Sequence, residues 1–288
     1  MLLDKIQEIT APFDAISLSE MDAVGLMKRM DTKFVLSEHQ FLSVFESLKD
    51  EYSILEVNQL KYSEYESLYF DHENMAFYID HHRGKANRMK IRIRKYKSNG
   101  MSFLEVKRKE KGQTVKSRIK SESWSENFTG QEKDFLSNLY PNHSQIIPSL
   151  ENSFVRITLV HKTRIERLTF DLNLSYLKDR QKVNMDNLVI CELKQERVNR
   201  RGSFYSKMKN QLIRPLKVSK YCLGAMEFYS KDQIKSNRFK KKILTKQFKK
   251  ATTAMNVARS VYDKLSCHRR GGNELFDVDL PGESWKVE

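Results

Sequence analysis

The middle of the chain alternates between apolar and polar residues, which is the period of a β-strand with one buried face. Between about residues 52 and 194 the pattern recurs in short segments separated by turn-forming residues. Asn99-Gly100 is the strongest turn signal and joins two of these segments as a hairpin. Many short strands at close spacing predict an antiparallel sandwich or barrel. The predicted strands are 66–71, 88–96, 102–109, 115–121, 154–162, 165–174 and 188–194.

Helical periodicity flanks and interrupts these strands. A short helix is predicted over 21–30, and Ser37 opens a second helix whose apolar face begins at Phe41. The segment 123–148 interrupts the strands and contains a further helical pattern. The period returns to helical over 203–229. The chain therefore mixes a dominant β-sheet with helices at both ends and one helical insertion.

The polar face of the predicted strands is basic rather than mixed in sign. An antiparallel sheet often has one solvated polar face, and that interpretation stays open for any single strand. Neighbouring strands would, however, place like charges side by side, which destabilises a sheet. A bound polyanion would relieve the repulsion, because Arg and Lys both bind phosphate oxygens. The basic face comprises Arg88, Lys90, Arg92, Arg94, Lys107, Lys109, Lys116, Arg118 and Lys120.

Two acids on alternating faces, Glu105 and Glu192, each precede a lysine by two residues. Residues at i and i+2 of a strand point to the same side, so each acid lies beside its lysine. Such a carboxylate could bind a divalent cation that bridges phosphate oxygens. It could equally form an ion pair with the neighbouring lysines. The pattern favours the ion pair and leaves the metal site open.

Composition narrows the class of partner. The 288 residues carry 52 Lys and Arg against 37 Asp and Glu, and the net charge of +15 favours nucleic acid, a membrane surface or phosphorylated small molecules. The sequence has no zinc-finger, helix-turn-helix or RNP signature, which disfavours nucleic acid. It has no Walker A loop, so phosphate is not bound in that way. Its three cysteines form no metal or disulfide pattern. Without a signal peptide or an apolar run of about 20 residues, the sequence predicts a cytoplasmic protein.

The C-terminal segment differs in composition from the rest of the chain. Residues 230–250 are rich in lysine, and the end of the chain is polar with Gly-Gly and Pro-Gly pairs. We predict a folded domain over 1–229, and a basic helical tail with a mobile C-terminus over 230–288. The basic run would also attract the protein to an acidic membrane surface, peripheral to the inner face of a membrane.

Nine segments occur in an order typical of one protein family. They are RMDTKFVL (29–36), SLYFD (67–71), FYIDHHRGKANRMKIRIRKY (77–96), FLEVKRK (103–109), KSRI (116–119), RITL (156–159), ERLTFDLNL (166–174), VICELKQ (189–195) and SKYCLG (219–224). Together they resemble the vacuolar transporter chaperone (VTC) polyphosphate polymerase domain, a CYTH-like branch of the triphosphate tunnel metalloenzymes. The resemblance runs from about residue 27 to residue 229.

The resemblance implies an α+β fold built on an eight-stranded antiparallel β-barrel, the triphosphate tunnel, with flanking and capping helices. It implies that the inner wall binds a triphosphate, a divalent cation (Mn²⁺ or Mg²⁺) and a growing polyphosphate chain. The implied reaction transfers the γ-phosphoryl group of ATP to inorganic polyphosphate and releases ADP.

Carried over position by position, the resemblance also implies a set of site residues, to which the alternating face adds Lys90, Arg118 and Glu105. The expected catalytic arginines are Arg92, Arg94, Arg156 and Arg167. The expected phosphate-binding residues are Lys33, Lys90, Lys107, Lys116, Arg118, Lys194, Lys217, Ser219 and Lys220. The expected metal-binding carboxylates are Glu192 and Glu105.

The chain departs from the family pattern at two positions. Many tunnel enzymes open with an E-x-E-x-K motif that binds metal in hydrolytic members, whereas this chain has Arg29 at the first glutamate position. This departure favours the polymerase branch. Phe154 stands where related domains carry a tyrosine, so a hydroxyl contact to phosphate is lost.

Two other functions stay open at this point. One is metal-dependent hydrolysis of tripolyphosphate or a nucleoside triphosphate, in which Glu105 would orient water. The other is non-catalytic binding of polyphosphate or RNA by a basic barrel. A membrane protein or an acidic membrane surface is a further candidate partner.

Overall fold

The computed structural model of the chain describes residues 5–23, 30–110, 113–122, 124, 127–230 and 232–237. The chain divides into two compact units after Phe239, and every described residue belongs to the first unit. The predictions of a basic helical tail and a mobile C-terminus therefore lie largely outside the described residues.

Short helices alternate with strands along the described part of the chain. The helices are α1 (Ile6–Thr10), α2 (Leu18–Ala23), α3 (Glu38–Glu46), α4 (Ala76–Arg83), α5 (Gly130–Leu139), α6 (Ser203–Asn210) and α7 (Lys220–Phe228). The strands are β1 (Ala15–Ile16), β2 (Met30–Ser37), β3 (Tyr52–Leu55), β4 (Ser63–His72), β5 (Arg88–Tyr96), β6 (Ser102–Glu110), β7 (Gln113–Ser121), β8 (Ile146–His161), β9 (Glu166–Lys178), β10 (Gln181–Asn184) and β11 (Leu188–Gln195). A 3-10 helix, Pro141–Gln145, precedes β8.

Eight strands form one antiparallel path in the order β2-β11-β9-β8-β4-β5-β6-β7. The sheet is strongly curled, so that it forms a half-barrel with a tunnel-like concave side. Three short strands lie off this path: β1 pairs in parallel with β3, β3 pairs with β8, and β10 pairs with β9. The predicted α+β class and eight-stranded antiparallel sheet are confirmed.

Strand β5 shows how the sequence sets the two faces of this sheet. Ile91 and Ile93 are fully buried in the apolar core on the convex side. The alternating residues Lys90, Arg92 and Arg94 face the concave side, because successive side chains of a strand point to opposite faces. The strict alternation of the sequence is therefore the alternation between core and tunnel.

Helices cover the convex face in two places. Phe41 of α3 and Phe204 of α6 pack around Phe170 of β9, with ring centroids 5.2 and 6.3 Å from it. Leu136 of α5 is fully buried in a second apolar cluster with residues of β5 and β6. These two clusters bury the outer side of the sheet and leave the inner side to polar residues.

The helix predicted over 21–30 begins earlier than predicted and does not include Met30, and residues 24–29 lie outside the described residues. The structure places α2 at Leu18–Ala23, and Met30 already belongs to β2. The start is earlier because Ser17 and Glu20 cap each other: the Ser17 N–H donates to the Glu20 carboxylate at 2.8 Å, and the Glu20 N–H donates to the Ser17 hydroxyl at 3.3 Å.

The strand predicted over 154–162 begins earlier, at Ile146. Pro148 interrupts the sequence pattern there, but it is accommodated at a point where the register with β4 shifts between Tyr69 and Phe70. Irregularities of this kind are where a sheet tolerates proline. Ser149 falls at the same shift, so the irregularity changes the position of its hydroxyl.

The helical pattern over 203–229 is divided between α6 and α7. The segment between them lies along an edge of β2, where the Leu216 N–H donates to the Lys33 carbonyl at 2.8 Å. Helix α7 then lies against the concave side, with the Tyr221 ring 5.1 Å from that of Tyr69. We call α7 the closing helix. No helix within the described residues is long and apolar enough to cross a membrane.

Candidate functional site

The concave side of β5, β6 and β7 is built as cross-strand rows of charged residues. Arg92 lies opposite Glu105, and Glu105 lies opposite Arg118. In the next row Lys90 lies opposite Lys107, which lies opposite Lys116. The register of a regular antiparallel sheet therefore converts the sequence alternation into a two-dimensional basic surface.

Glu105 is held by two of these cations. The Arg92 Nε and Nη2 donate to its Oε2 at 2.9 and 2.7 Å, and the Lys116 Nζ donates to its Oε1 at 2.5 Å. Burial alone would raise the pKa of Glu105, but Arg92, Arg94 and Lys116 lower it to about 2. Glu105 therefore forms ion pairs, which is one of the two alternatives that the sequence left open. Both of its oxygens accept hydrogen bonds from cationic side chains.

Asp171 of β9, on the other side of the tunnel, is also held by two cationic side chains. It was not among the residues predicted from the sequence. The Arg156 Nε and Nη2 donate to its two oxygens at 2.6 and 2.8 Å, and Lys220 of the closing helix also donates to it. Despite burial, Arg156 and Lys220 hold the pKa of Asp171 well below its usual range. The sequence pattern could have identified Asp171, because it lies on the same alternating face as Arg167.

The third carboxylate group lies where β2 pairs with β11. Glu192 lies opposite Lys33, and its Oε2 is 3.5 Å from the Lys194 Nζ. Glu192 also shares a hydrogen bond with Asp31. Burial opposes ionisation, but Lys33, Lys194 and Arg156 keep the pKa of Glu192 well below its usual range. Burial and the Glu192 charge raise the pKa of Asp31.

Glu192 and Asp31 are the residues of this surface best suited to a divalent cation. Carboxylate oxygens are the ligands that Mn²⁺ and Mg²⁺ prefer, and Mg²⁺ is often held by one or two carboxylates with substrate phosphates. Glu105 fits a metal less well, because both of its oxygens are bonded to cationic side chains. The described residues contain no cluster of three or more His, Cys, Asp or Glu side chains that would form a complete protein site.

Several cations on the concave side make no ion pair with any described residue. Four of these are central to the argument; we call them the unpaired cations, and they are Lys33, Lys90, Arg94 and Lys107. Arg94 is only 7% exposed, and its Nε is buried without a hydrogen-bond partner within the described residues. Its guanidinium carbon lies 5.3 and 5.8 Å from the ring centroids of Tyr65 and Phe154. Burial and the nearby Arg92 lower the pKa of Arg94 to about 10, so it remains charged at neutral pH.

Lys90 joins the sheet to the closing helix. Its Nζ donates to the Ser219 hydroxyl at 2.7 Å. Burial, followed by the charges of Lys33 and Lys107, lowers the pKa of Lys90 to about 7. The pKa of Lys220, the next residue after Ser219, also falls to about 7 through burial.

The remaining predicted residues lie less centrally. Arg167 donates from its Nη2 to the Met21 carbonyl of α2 at 3.1 Å. Arg118 is exposed and lies over the Phe103 ring at 4.9 Å. Lys217 is exposed in the segment that leads to the closing helix. The structure thus brings Ser219 and Lys220 into the basic surface but leaves Lys217 at its margin.

The site is the basic lumen of a curled antiparallel sheet, with the closing helix lying against its concave side. Residues 28–229 match the VTC domain model. The chain belongs to the VTC domain family. The family predicted from the nine segments is confirmed, and the match covers the same residues within one position at the start. No curated protein matches this VTC domain protein in sequence.

Solved structures that resemble this fold are remote from the chain in sequence. A proposed adenylate cyclase from Bacillus halodurans is 13% identical with a TM-score of 0.46, and the alignment covers 70% of this chain and 98% of that one. The protein HpAC1 from Hippeastrum, described as having a dominant triphosphatase activity, is 12% identical with a TM-score of 0.42 and the same coverage. A protein from Pyrococcus horikoshii, PH1819, has a TM-score of 0.38 at 12% identity, covering 69% of this chain and 98% of that one.

Proposed function

We propose that this VTC domain is a polyphosphate polymerase, which transfers the γ-phosphoryl group of ATP to the end of an inorganic polyphosphate chain and releases ADP. The observation that carries the proposal is the burial of Arg94 without an ion pair. A guanidinium buried to 7% exposure without a carboxylate partner among the described residues is costly, since desolvated charges need compensation. A chain of phosphates would supply it.

The paired cations support phosphoryl transfer rather than simple anion storage. Arg92 and Arg156 are fixed in orientation by the Glu105 and Asp171 carboxylates. Donors held in place before the reaction stabilise charge in the transition state without reorganisation. Phosphoryl transfer depends chiefly on positioning and charge neutralisation, which such an arrangement supplies. Arg94 and Arg167 complete the proposed set of catalytic arginines.

The acceptor in this reaction is itself a phosphate anion and needs no general base. Two polyanions must approach each other, so the unpaired cations would bind phosphates that the paired ones do not reach. Lys33, Lys90 and Lys107 would act in this way, with Ser219 adding a hydroxyl. We retain Lys116, Arg118, Lys194, Lys217 and Lys220 as proposed phosphate-binding residues.

A divalent cation, Mn²⁺ or Mg²⁺, would bind to Glu192, with Asp31 beside it and phosphate oxygens as further ligands. When bound, the cation would neutralise charge on the transferred phosphate. Glu192 keeps a charge at neutral pH, because Lys33 and Lys194 hold its pKa low.

The hydrolytic alternative needs a carboxylate that is able to orient water. Glu105, the candidate predicted for that role, is bonded to Arg92 and Lys116 through both oxygens. This favours a phosphate acceptor over water. A membrane protein or an acidic membrane surface stays a predicted partner, since the basic run that suggests it lies outside the described residues.

The test uses purified protein with ATP and Mn²⁺, and products are separated by length. Chains of phosphate together with ADP are expected. Orthophosphate alone would support the triphosphatase, and no turnover would support a binding protein. Arg94→Ala should abolish chain synthesis with the fold intact, whereas Arg200→Ala, at an exposed position before α6, should have no effect. An active Arg94→Ala enzyme would contradict the proposed tunnel site.

A further inference from the structure

A buried carboxylate that bonds to none of the basic side chains of the lumen connects two helices. Asp71, at the end of β4, is 0% exposed. Its Oδ1 accepts hydrogen bonds from the N–H groups of His72 and Phe77 at 2.7 and 2.8 Å. Its Oδ2 accepts from the Tyr78 N–H at 2.9 Å and from the Tyr221 hydroxyl at 2.6 Å. One carboxylate therefore holds both the start of α4 and the first turn of the closing helix.

Helix α4 depends on this carboxylate for its first turn. Its N-cap residue, Met75, has a left-handed backbone (φ 58°) and makes no side-chain capping bond. Phe77 and Tyr78 would otherwise leave free N–H groups at the helix start, and Asp71 accepts from both. No described cation pairs with Asp71, so the helix N-terminus and the Tyr221 hydroxyl stabilise its charge.

The closing helix carries its phosphate-binding groups immediately beside this bond. Ser219 and Lys220 directly precede Tyr221. Ser219 accepts from Lys90 of β5 at 2.7 Å, and Lys220 donates to Asp171 of β9. The Ser219 side chain makes no capping bond to its own helix. The third residue of this turn, Tyr221, is held by a different carboxylate, because its hydroxyl donates to Asp71.

We propose that Asp71 is a positioning residue: through Tyr221 it fixes the register of the closing helix and so places Ser219 and Lys220 against the bound phosphates. This inference rests on the proposed function, because it names the group that sets the geometry of that phosphate site. Asp71 bonds to none of the lysines and arginines of the basic surface, and it acts through α7.

Tyr221→Phe tests the inference with the least disturbance. The change removes one hydroxyl and leaves Asp71 free to cap α4, so the fold is kept. The matched control is Tyr229→Phe at the other end of α7. Both tyrosine hydroxyls lie 3.1 Å from the Ser149 hydroxyl, but of the two it is that of Tyr221 that donates to Asp71. The probe is inorganic tripolyphosphate, and its affinity is measured by titration calorimetry on the full chain.

We expect Tyr221→Phe to weaken tripolyphosphate binding about tenfold, the effect of losing a hydrogen bond to a charged group, and Tyr229→Phe to stay within about twofold of the wild type. Wild-type affinity in Tyr221→Phe would overturn the inference alone. No binding by the wild type would overturn the proposed function, and the inference with it.

A combined variant separates positioning from general loosening of the fold. In a Ser219→Ala, Lys220→Met background both proposed phosphate contacts of the first turn are already lost, so Tyr221→Phe should add less than about twofold. An undiminished tenfold effect in that background would show that Tyr221 does not act through the first turn, and would overturn the positioning role. Asp71→Asn should weaken tripolyphosphate binding as much as Tyr221→Phe does. An asparagine side chain has one accepting oxygen in place of two, so it cannot accept all four hydrogen bonds.

Discussion

Gly224 of the closing helix lies directly against the ring of Tyr176 in β9. A Cβ built at position 224 would overlap the ring, lying 2.9 Å from its Cγ and closer still to two other ring atoms. Tyr176 is 1% exposed and sits opposite Asn152 of β8, within the curled sheet. The helix therefore approaches the concave side as closely as its backbone allows, and only glycine permits this contact.

Gly224→Ala should displace the closing helix from the sheet. Overpacking of this kind typically costs about 1–3 kcal/mol of unfolding free energy. It should also weaken tripolyphosphate binding, because Ser219 and Lys220 move with the helix. Urea unfolding and calorimetry measure the two effects. Gly130→Ala is the matched control, since a Cβ there meets no atom within 4 Å; an equal loss of stability in both variants would contradict the close packing of Gly224.

Substitution by methionine should change the unfolding free energy differently at Arg156 and at Arg94. Arg156→Met removes the bidentate partner of Asp171 and leaves a buried carboxylate with Lys220 alone, so a loss of about 3 kcal/mol in unfolding free energy is expected. Arg94→Met removes a buried charge that has no ion pair among the described residues, so stability should stay unchanged or rise by up to about 1 kcal/mol. Thermal and urea unfolding without ligand measure both.

Both variants should nevertheless lose chain synthesis, since each arginine belongs to the proposed catalytic set. A large destabilisation by Arg94→Met would mean that the folded protein already compensates this charge, and Arg94 would then need no bound anion.

The sequence predicted the fold well because the alternation is unusually strict. From Arg88 to Arg94 in β5 the residues alternate between basic and apolar, so the core face and the lumen face could both be assigned from the residue pattern alone. The basic residues of β6 and β7 follow the same rule. Boundaries were less predictable where a turn residue was tolerated inside a strand, as at Pro148 in β8.

The sequence did not predict which of the basic residues form ion pairs with carboxylates. That depends on cross-strand register, which places Asp171 opposite Arg156 and Glu105 opposite Arg92. Each pair joins two consecutive strands of a hairpin, whose register depends on the turn between them and not on the residue pattern of either strand alone. The bond between Asp71 and Tyr221 joins residues 150 positions apart and carried no local signal.

Glu105→Gln and Glu192→Gln should separate a structural carboxylate from a metal-binding one. Glu105→Gln leaves Arg92 and Lys116 without their partner, and a loss of about 3 kcal/mol in unfolding free energy is expected. Glu192→Gln should instead raise the Mn²⁺ concentration needed for half-maximal activity by about tenfold or more. Activity titrations with Mn²⁺, paired with urea unfolding, distinguish the two. Equal Mn²⁺ dependence in Glu192→Gln and the wild type would remove Glu192 from the proposed metal site.

Proton uptake on binding should reveal the half-buried Lys90, which donates to Ser219 at the start of the closing helix. In the free protein the pKa of Lys90 is lowered to about 7, chiefly by burial and then by Lys33 and Lys107. Below that pH the lysine is already charged, and above it the lysine is neutral. A bound phosphate favours the charged form and raises the pKa again, so binding above pH 7 must take up a proton.

Lys90→Arg isolates this proton, because arginine stays charged across the whole range. Lys220, whose pKa is also about 7, and the titration of tripolyphosphate itself contribute alike to wild type and variant, and they cancel in the difference. Calorimetry at about pH 8.5 in buffers of different ionisation enthalpy should show about one proton more for the wild type. At about pH 6 the difference should vanish, since Lys90 is then charged before binding. Equal uptake at the higher pH would mean that Lys90 is not among the groups that bind phosphate.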